Sequence, residues 1–194
     1  MNRMDRDRSL LVLVDYQERL MPTIHDAQRV VDEAVFLADA ARLMGVRVLG
    51  TEQNPAGLGP NVAAVSDRCE RTLAKMHFDA CGDGLVDAVH GAANVVIAGC
   101  EAHVCLCQTA LGLRRAGFEV FVVADACGSR RPEDLALAMQ RLAQAGAVIV
   151  GAEMAVFEWL GTCEAAAFKA VLGLLKQRAR GTSRGTAGSP SRRG

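Results

Sequence analysis

Residues 94–124 read NVVIAGCEAHVCLCQTALGLRRAGFEVFVVA and contain a strand, a helix and a second strand. The two runs Asn94–Gly99 and Glu119–Ala124 are apolar and rich in β-branched residues, whereas Val104–Ala116 has helical spacing. Gly117 follows directly, and a glycine there tolerates the left-handed conformation that closes many helices. Strand, helix and strand in this order predict two parallel strands joined by a right-handed crossover.

The same alternation extends along most of the chain. Because the predicted strands are almost uninterrupted apolar runs, we expect a sheet that carries helices on both of its faces. The sequence therefore predicts an α/β fold with three layers, α/β/α, around a six-stranded parallel doubly wound sheet. The predicted strands are Leu10–Val14, Val46–Gly50, Thr72–Phe78, Asn94–Gly99, Glu119–Ala124 and Ala147–Val150, and the predicted helices are Ala27–Met44, Asp83–His90, Val104–Ala116, Pro132–Ala145 and Glu164–Leu175.

The length of 194 residues fits a single domain with one core. Residues 177–194 contain five arginines, no acidic residue and many Gly and Ser, so we predict one folded domain over residues 1–176 and a disordered tail over 177–194. Without the tail arginines, the 22 basic residues of the chain fall to 17, against 22 acidic ones. A mildly acidic domain argues against binding of nucleic acid, which needs clustered Lys and Arg.

The cysteine count and the start of the chain predict a compartment. Seven cysteines are an odd number, and the N-terminal stretch MNRMDRDRS is charged and lacks an apolar signal core. We therefore expect free thiols in a reducing, cytoplasmic environment. No apolar run approaches the length that spans a bilayer, so no membrane partner is expected.

Polar residues that follow strands are the candidates for a site, because ligands bind doubly wound sheets beyond the carboxyl ends of the strands. Asp15 follows the first strand, Gln53 lies just past the second, Lys75 lies in the third, and Cys105 follows the fourth. Taken singly, Asp15 could cap a turn, Lys75 could lie on the surface and Cys105 could be a small buried apolar residue. Cys105 has the strongest case, since the first turn of a helix lowers the pKa of a thiol.

Two cofactor sites can be excluded on the pattern of residues. Asp15-Tyr16-Gln17 stands where a dinucleotide fold has its glycine-rich loop. Cys100, His103, Cys105 and Cys107 are zinc-ligand types, but four ligands within eight residues across a strand-to-helix turn do not converge tetrahedrally. We predict neither a metal nor a cofactor.

From Leu10 to about Lys176 the chain resembles the isochorismatase-like cysteine hydrolases. The resemblance rests on VDYQERLMP, TEQNPAGLGP, the lysine of LAKMHF, GCEAHVCLCQTA and ADACGSRRPEDLALAMQRLAQAGA. It is strongest with the metal-independent branch whose members carry TEQ-P-GLG and GxEAHVCxxQTA. The resemblance implies the same six-stranded parallel sheet, with a catalytic triad at its carboxyl edge.

The resemblance also implies roles for the residues of that triad. Cys105 would be the nucleophile, Asp15 the general base, and Lys75 the cation that stabilises the thiolate and orients the pair. A nearby ammonium and a helix N-terminus both favour an ionised thiol.

The remaining expectations concern the turn before the nucleophile. The family implies a non-prolyl cis peptide between Glu101 and Ala102, with the N–H groups of Ala102 and Cys105 as oxyanion donors. Glu101 and His103, together with Gln53 from the second strand, would line the pocket or support it. His103 would bond either the substrate or the protein backbone.

The chain also departs from two kinds of relative. Nicotinamidase-type relatives hold a metal with an Asp-x-His pair after the second strand, where this chain has Thr51-Glu52-Gln53-Asn54. Isochorismatases that cleave a vinyl ether often lack the cysteine that this chain keeps. The prediction is therefore a cofactor-free cysteine hydrolase that cleaves a C–N bond of a small amide or carbamoyl compound through a covalent Cys intermediate.

Two other functions stay open on the sequence. One is a non-catalytic metabolite-binding or oligomeric scaffold protein that keeps the hydrolase fold, and the other is thiol redox sensing, which no Cys-x-x-Cys motif supports. The apolar segments AVFEWLG and AAAFKAVLGLL near the end offer more apolar surface than one helical layer buries. Since relatives assemble as dimers or larger rings, we expect a homo-oligomer.

Overall fold

Six parallel strands form the central layer of the protein, in a computed structural model that describes residues 3–185. In spatial order the sheet runs β3-β2-β1-β4-β5-β6, so the direction of progress along the sheet reverses between β1 and β4. Such a reversal is where doubly wound folds bind ligands. The strands are β1 Ser9–Val14, β2 Arg47–Gln53, β3 Arg71–Lys75, β4 Asn94–Gly99, β5 Glu119–Val123 and β6 Val148–Val150.

Helices cover both faces of this sheet. The crossover through α1 and the crossover through α5 proceed in opposite directions from the centre, so right-handed connections place them on opposite faces. Helices α7 and α8 pack with α1, and α6 packs with α5. The predicted three-layer α/β/α fold is confirmed. The helices are α1 Ala27–Leu43, α2 Pro55–Leu58, α3 Ala63–Ser66, α4 Leu85–Ala88, α5 Cys107–Arg115, α6 Pro132–Gln144, α7 Ala152–Leu160 and α8 Phe168–Gly185.

The two central strands are buried almost completely, and their ends lie very close together. Every residue of β4 is buried, as is β1 from Leu10 to Val14. A Cβ on Gly99, the last residue of β4, would lie 2.5 Å from both the Cβ and the carbonyl oxygen of Val14. Only glycine allows this approach, which brings the turn after β4 against the residue after β1.

Strand β2 is longer than the apolar pattern predicts. The expected strand ends at Gly50, whereas β2 continues to Gln53 because Thr51 pairs with Leu73 and Gln53 pairs with Lys75 in β3. Backbone pairing does not depend on side-chain polarity, so polar residues extend the strand. As a result, Thr51 and Gln53 occupy one face of a strand instead of a loop.

The C-terminal helix α8 crosses the predicted domain boundary at residue 176. It runs through Gly185, and residues 186–194, the rest of the predicted tail, lie outside the described part of the chain. Arg178 holds this part of α8 against the sheet layer's helices, because its Nε donates to Glu33 Oε1 at 2.9 Å and its guanidinium lies 4.8 Å from the centre of the Phe36 ring. Both partners belong to α1, which gives this end of α8 a specific docking site. Within residues 3–185, no helix has the length and apolar character needed to cross a bilayer.

Candidate active site

Three predicted residues meet at the carboxyl edge of the sheet, where the strand order reverses. Asp15 follows β1 directly, Lys75 is the last residue of β3, and Cys105 lies in a π-helical turn, Ala102–Leu106, that precedes α5. All three are buried, with exposed fractions of 0%, 2% and 5%. Asp15 leaves β1 with φ 58°, a left-handed conformation that Asp tolerates better than most residues.

An ion pair between Asp15 and Lys75 forms the floor of this site. The Lys75 Nζ lies 2.8 Å from Asp15 Oδ2, and both side chains are 0% exposed. The other carboxylate oxygen, Oδ1, accepts a hydrogen bond of 2.7 Å from the hydroxyl of Thr51. In return, the Asp15 N–H donates to the Thr51 carbonyl at 3.1 Å. The carboxylate is therefore held at both oxygens.

Gln53 connects the ion pair with the cysteine. Its Oε1 accepts from Lys75 Nζ at 2.7 Å and lies 4.0 Å from Cys105 Sγ. Its Nε2 donates to the Met76 carbonyl at 2.8 Å, which turns the amide oxygen toward the site. Gln17 clamps the backbone of Gln53, since its Oε1 accepts the Gln53 N–H at 2.9 Å and its Nε2 donates to the Gln53 carbonyl at 3.0 Å.

The Lys75 ammonium is surrounded by oxygen atoms. Besides Asp15 and Gln53, the carbonyl groups of His77 and Phe78 each accept from Nζ at 3.4 Å. A buried ammonium needs such partners, because burial without them strongly disfavours its charge. The alternative that Lys75 lies on the surface is therefore excluded.

The resting form of Cys105 differs from the sequence expectation. The pKa of the thiol is raised to about 12, by burial first and then by the Asp15 carboxylate, while Lys75 acts in the opposite direction. The expected lowering by a helix N-terminus is thus outweighed, because Cys105 is enclosed and has a carboxylate beside it. At neutral pH the resting residue is a thiol, and a nucleophilic role requires that a base remove its proton during the reaction.

The turn before Cys105 also differs from expectation. No cis peptide bond occurs within residues 3–185, and Glu101 instead adopts a left-handed conformation with φ 50°. The Ala102 N–H donates to the Gly128 carbonyl at 2.9 Å. That donor is therefore occupied in this structure, and it ties the turn to the segment that follows β5.

Glu101 and His103 belong to a second cluster on the other side of the turn. Residues two positions apart on a helical turn point in divergent directions, so His103 faces away from Cys105. Its Nδ1 lies 3.1 Å from Ser129 Oγ and its Nε2 lies 3.5 Å from Glu101 Oε2, while Arg130 Nε donates to Glu101 Oε1 at 3.2 Å. Within residues 3–185, the imidazole of His103 therefore contacts the side chains of Ser129 and Glu101. A cavity of about 470 Å³ is lined by His103, Arg130, Arg131 and Asp134.

Two residues of the site were missed by the sequence analysis, Thr51 and Gln17. Thr51 has a signal in the sequence, because it lies two residues before Gln53 and side chains at that spacing share a face of a strand. Gln17 has no such signal, since its contacts reach Gln53 and also the carbonyl of Gly59, at 2.7 Å from Nε2. These partners are distant in the chain and meet only in the folded protein.

Solved structures from several organisms share this architecture. The structure of MAR1 ribonuclease from Caenorhabditis elegans is 30% identical with a TM-score of 0.88, and the match covers 99% of this chain and 100% of that one. YcaC from Pseudomonas aeruginosa, with hexane-2,5-diol and covalent acrylamide, is 26% identical with a TM-score of 0.83 over 95% and 98% of the two chains. The Escherichia coli YcaC gene product, an octameric hydrolase of unknown specificity, shares the fold with a TM-score of 0.84 at 24% identity, over 97% and 98% of the chains.

Sequence comparison identifies the family. Isochorismatase domain-containing protein 2 of Homo sapiens is 34% identical over 173 residues, which cover 88% of this chain and 84% of that protein. Isochorismatase domain-containing protein 2A of Mus musculus is 32% identical over 174 residues, which cover 88% of this chain and 84% of that protein. The family model described as Isochorismatase domain matches residues 9–154. The chain therefore belongs to the isochorismatase-like hydrolase family.

Proposed function

We propose that this protein is a cytoplasmic, cofactor-free cysteine hydrolase that cleaves a C–N bond of a small amide or carbamoyl compound. The observation that carries the proposal is the enclosed group of a thiol, a carboxylate and an ammonium at the point where the strand order reverses. An Asp and a Cys that approach each other in a buried site provide a base and a nucleophile.

The proposed reaction begins with the thiol of Cys105 in its protonated form. Asp15 takes the S–H proton as sulfur attacks the carbonyl carbon of the substrate. The tetrahedral intermediate collapses, the C–N bond breaks, and the amine leaves with the proton from Asp15. A thioester on Cys105 remains.

Water completes the proposed cycle. Asp15 takes a proton from a water molecule, whose oxygen attacks the thioester carbonyl. The C–S bond breaks, the acid product leaves, and the proton on Asp15 returns to the sulfur. The sum is amide plus water to acid plus amine, and both protein groups regain their starting state.

Lys75 would support both halves of this cycle. As a fixed positive charge 2.8 Å from the carboxylate, it orients Asp15 for the proton transfers. It also opposes the rise in the pKa of the Cys105 thiol. Gln53 contacts the ammonium and approaches the thiol, so it would keep Lys75 and Cys105 at a fixed separation.

We also propose that the functional form is a homo-oligomer. Met154 and Phe157 lie one turn apart on α7 and are 56% and 41% exposed. They form an apolar stripe at the start of the AVFEWLG segment, which Met154 directly precedes. The octameric state of the similar E. coli YcaC supports an assembly of this kind. Light scattering at micromolar concentration tests it, and a monomeric mass would contradict it.

A panel of small amides and ureido compounds tests the proposed activity through release of ammonia or amine. We expect turnover by the natural chain and none by Cys105→Ala, with Cys107→Ala as the matched control because Cys107 is buried two positions away on α5. Because one similar structure is named a ribonuclease, the panel includes a short RNA. No turnover of any amide, with Cys105 inert toward acrylamide, would favour the alternative of a non-catalytic metabolite-binding or scaffold protein.

A further inference from the structure

Thr51 holds Asp15 through its side chain and its backbone. The Thr51 hydroxyl donates to Asp15 Oδ1 at 2.7 Å, and the Thr51 carbonyl accepts the Asp15 N–H at 3.1 Å. The same carbonyl accepts from Asn61 Nδ2 at 3.0 Å, which fixes the strand end from the loop side. Thr51 is 0% exposed, so water does not compete for its hydroxyl.

The two oxygens of Asp15 consequently have different surroundings. Oδ1 is occupied by the hydroxyl of Thr51. Oδ2 is in ion-pair contact with Lys75 at 2.8 Å, and the thiol of Cys105 also interacts with this carboxylate. A carboxylate oxygen has two lone pairs, so Oδ2 can contact the ammonium through one and take a proton on the other.

Strand β2 supplies one support to each member of the ion pair. Thr51 and Gln53 are two residues apart and share a face of the strand, where the first bonds Asp15 and the second bonds Lys75. A hydroxyl and an amide at the strand end thus contact Asp15 and Lys75 directly.

We propose that Thr51 is a positioning residue, which binds one carboxylate oxygen of Asp15 so that the other oxygen faces Cys105 and transfers the proton. Its hydroxyl occupies Oδ1 and fixes the plane of the carboxylate, so that Oδ2 takes the proton of Cys105 and later returns it. This inference rests on the proposed function and names a residue that acts through Asp15. Loss of the hydroxyl removes the hydrogen-bond donor on Oδ1 and leaves the plane of the carboxylate held through Oδ2 alone.

The test uses acrylamide as the probe and follows alkylation of Cys105 by peptide mass across a pH series. In this reaction the S–H group adds across the C=C bond, sulfur to the terminal carbon and the proton to the other. The charged or titratable groups that act on Asp15 come from three elements and stay unchanged: Lys75 of β3, Cys105 of the π-helical turn and Cys100 after β4.

Thr51→Val keeps the shape of the side chain and removes its hydroxyl. We expect alkylation at neutral pH to become about ten- to hundredfold slower, as for loss of a hydrogen bond to a charged group. Thr51→Ser retains a hydroxyl and should restore the rate.

The outcomes separate this inference from the proposed function. Equal profiles for the natural chain, Thr51→Val and Thr51→Ser would overturn the role of Thr51 while leaving Cys105 as a reactive nucleophile. A natural chain whose Cys105 does not react, and which turns over no amide, would overturn both. Circular dichroism and thermal unfolding show whether each variant folds. Thr51→Ala repeats the test with a smaller side chain if the extra methyl of valine prevents folding.

Discussion

The ammonium of Lys75 and the carboxylate of Asp15 lie 2.8 Å apart, with both side chains inaccessible to solvent. Two charges buried together have lost their hydration, and each is compensated by the other and by neighbouring oxygens. Removal of one partner leaves an uncompensated buried charge, whereas removal of both does not. Because the same pair borders Cys105, its effects on stability and on thiol reactivity can be measured in the same variants.

Lys75→Met should raise the pKa of the Cys105 thiol further, because the ammonium is the group that lowers it. It should also lower the free energy of unfolding by about 3–5 kcal/mol, as expected when a buried pair loses one member. Alkylation of Cys105 against pH measures the first effect and urea unfolding the second. The exposed Lys169→Met is the control. Profiles that coincide with the natural chain would remove Lys75 from the site.

Asp15→Asn should have the opposite effect on the thiol. Deleting the negative charge lowers the pKa of Cys105, so the alkaline rise in alkylation by the free thiolate should shift to lower pH, while alkylation assisted by Asp15 at neutral pH is lost. Turnover of an amide should nevertheless be lost, because an amide side chain cannot accept the proton. An Asp15→Asn variant that keeps its turnover would show that another group is the base.

The double variant Asp15→Asn with Lys75→Met should be more stable than either single variant. Neither charge remains, so the penalty for a buried unpaired charge is absent. Urea unfolding of the four proteins gives the coupling free energy between the two positions. Additive losses in the double variant would mean that the pair is not coupled, contrary to the 2.8 Å contact.

Arg178→Met should destabilise the protein more at neutral than at acidic pH. Burial raises the pKa of Glu33, and the guanidinium of Arg178 opposes that rise. A carboxyl whose folded pKa is raised contributes stability below its unfolded pKa and loses it as pH rises through the folded value. Without Arg178 the pKa of Glu33 rises further, so the loss at neutral pH grows. Urea unfolding at several pH values measures this.

The exposed Arg180→Met on the same helix is the control for that comparison. It should leave the pH dependence of stability unchanged, because its charge is in solvent. A loss of stability in Arg178→Met that is the same at every pH would indicate that the arginine acts through its packing on Phe36, at 4.8 Å, and not through Glu33.

The sequence by itself determined the sheet and the positions of the acid, the ammonium and the thiol. Apolar runs separated by helical spacing specify parallel strands, and parallel strands bring their carboxyl ends to one edge. Asp15, Lys75 and Cys105 each follow or end a strand, so their approach is a consequence of the order of elements. The resemblance to isochorismatase-like hydrolases agrees with this reasoning and with the family match over residues 9–154.

Only the tertiary structure decided the ionisation of Cys105 and the partners of the surrounding polar groups. The pKa of a thiol depends on its burial and on charges that arrive from other strands, and here these outweigh the helix terminus that the sequence displays. The bond from Ala102 to Gly128, the hydroxyl of Thr51 on Asp15 and the clamp of Gln17 on Gln53 join residues distant in the chain. Hydrogen bonds of this kind depend on distances and angles that exist only after the segments have packed, and so local sequence patterns do not encode them.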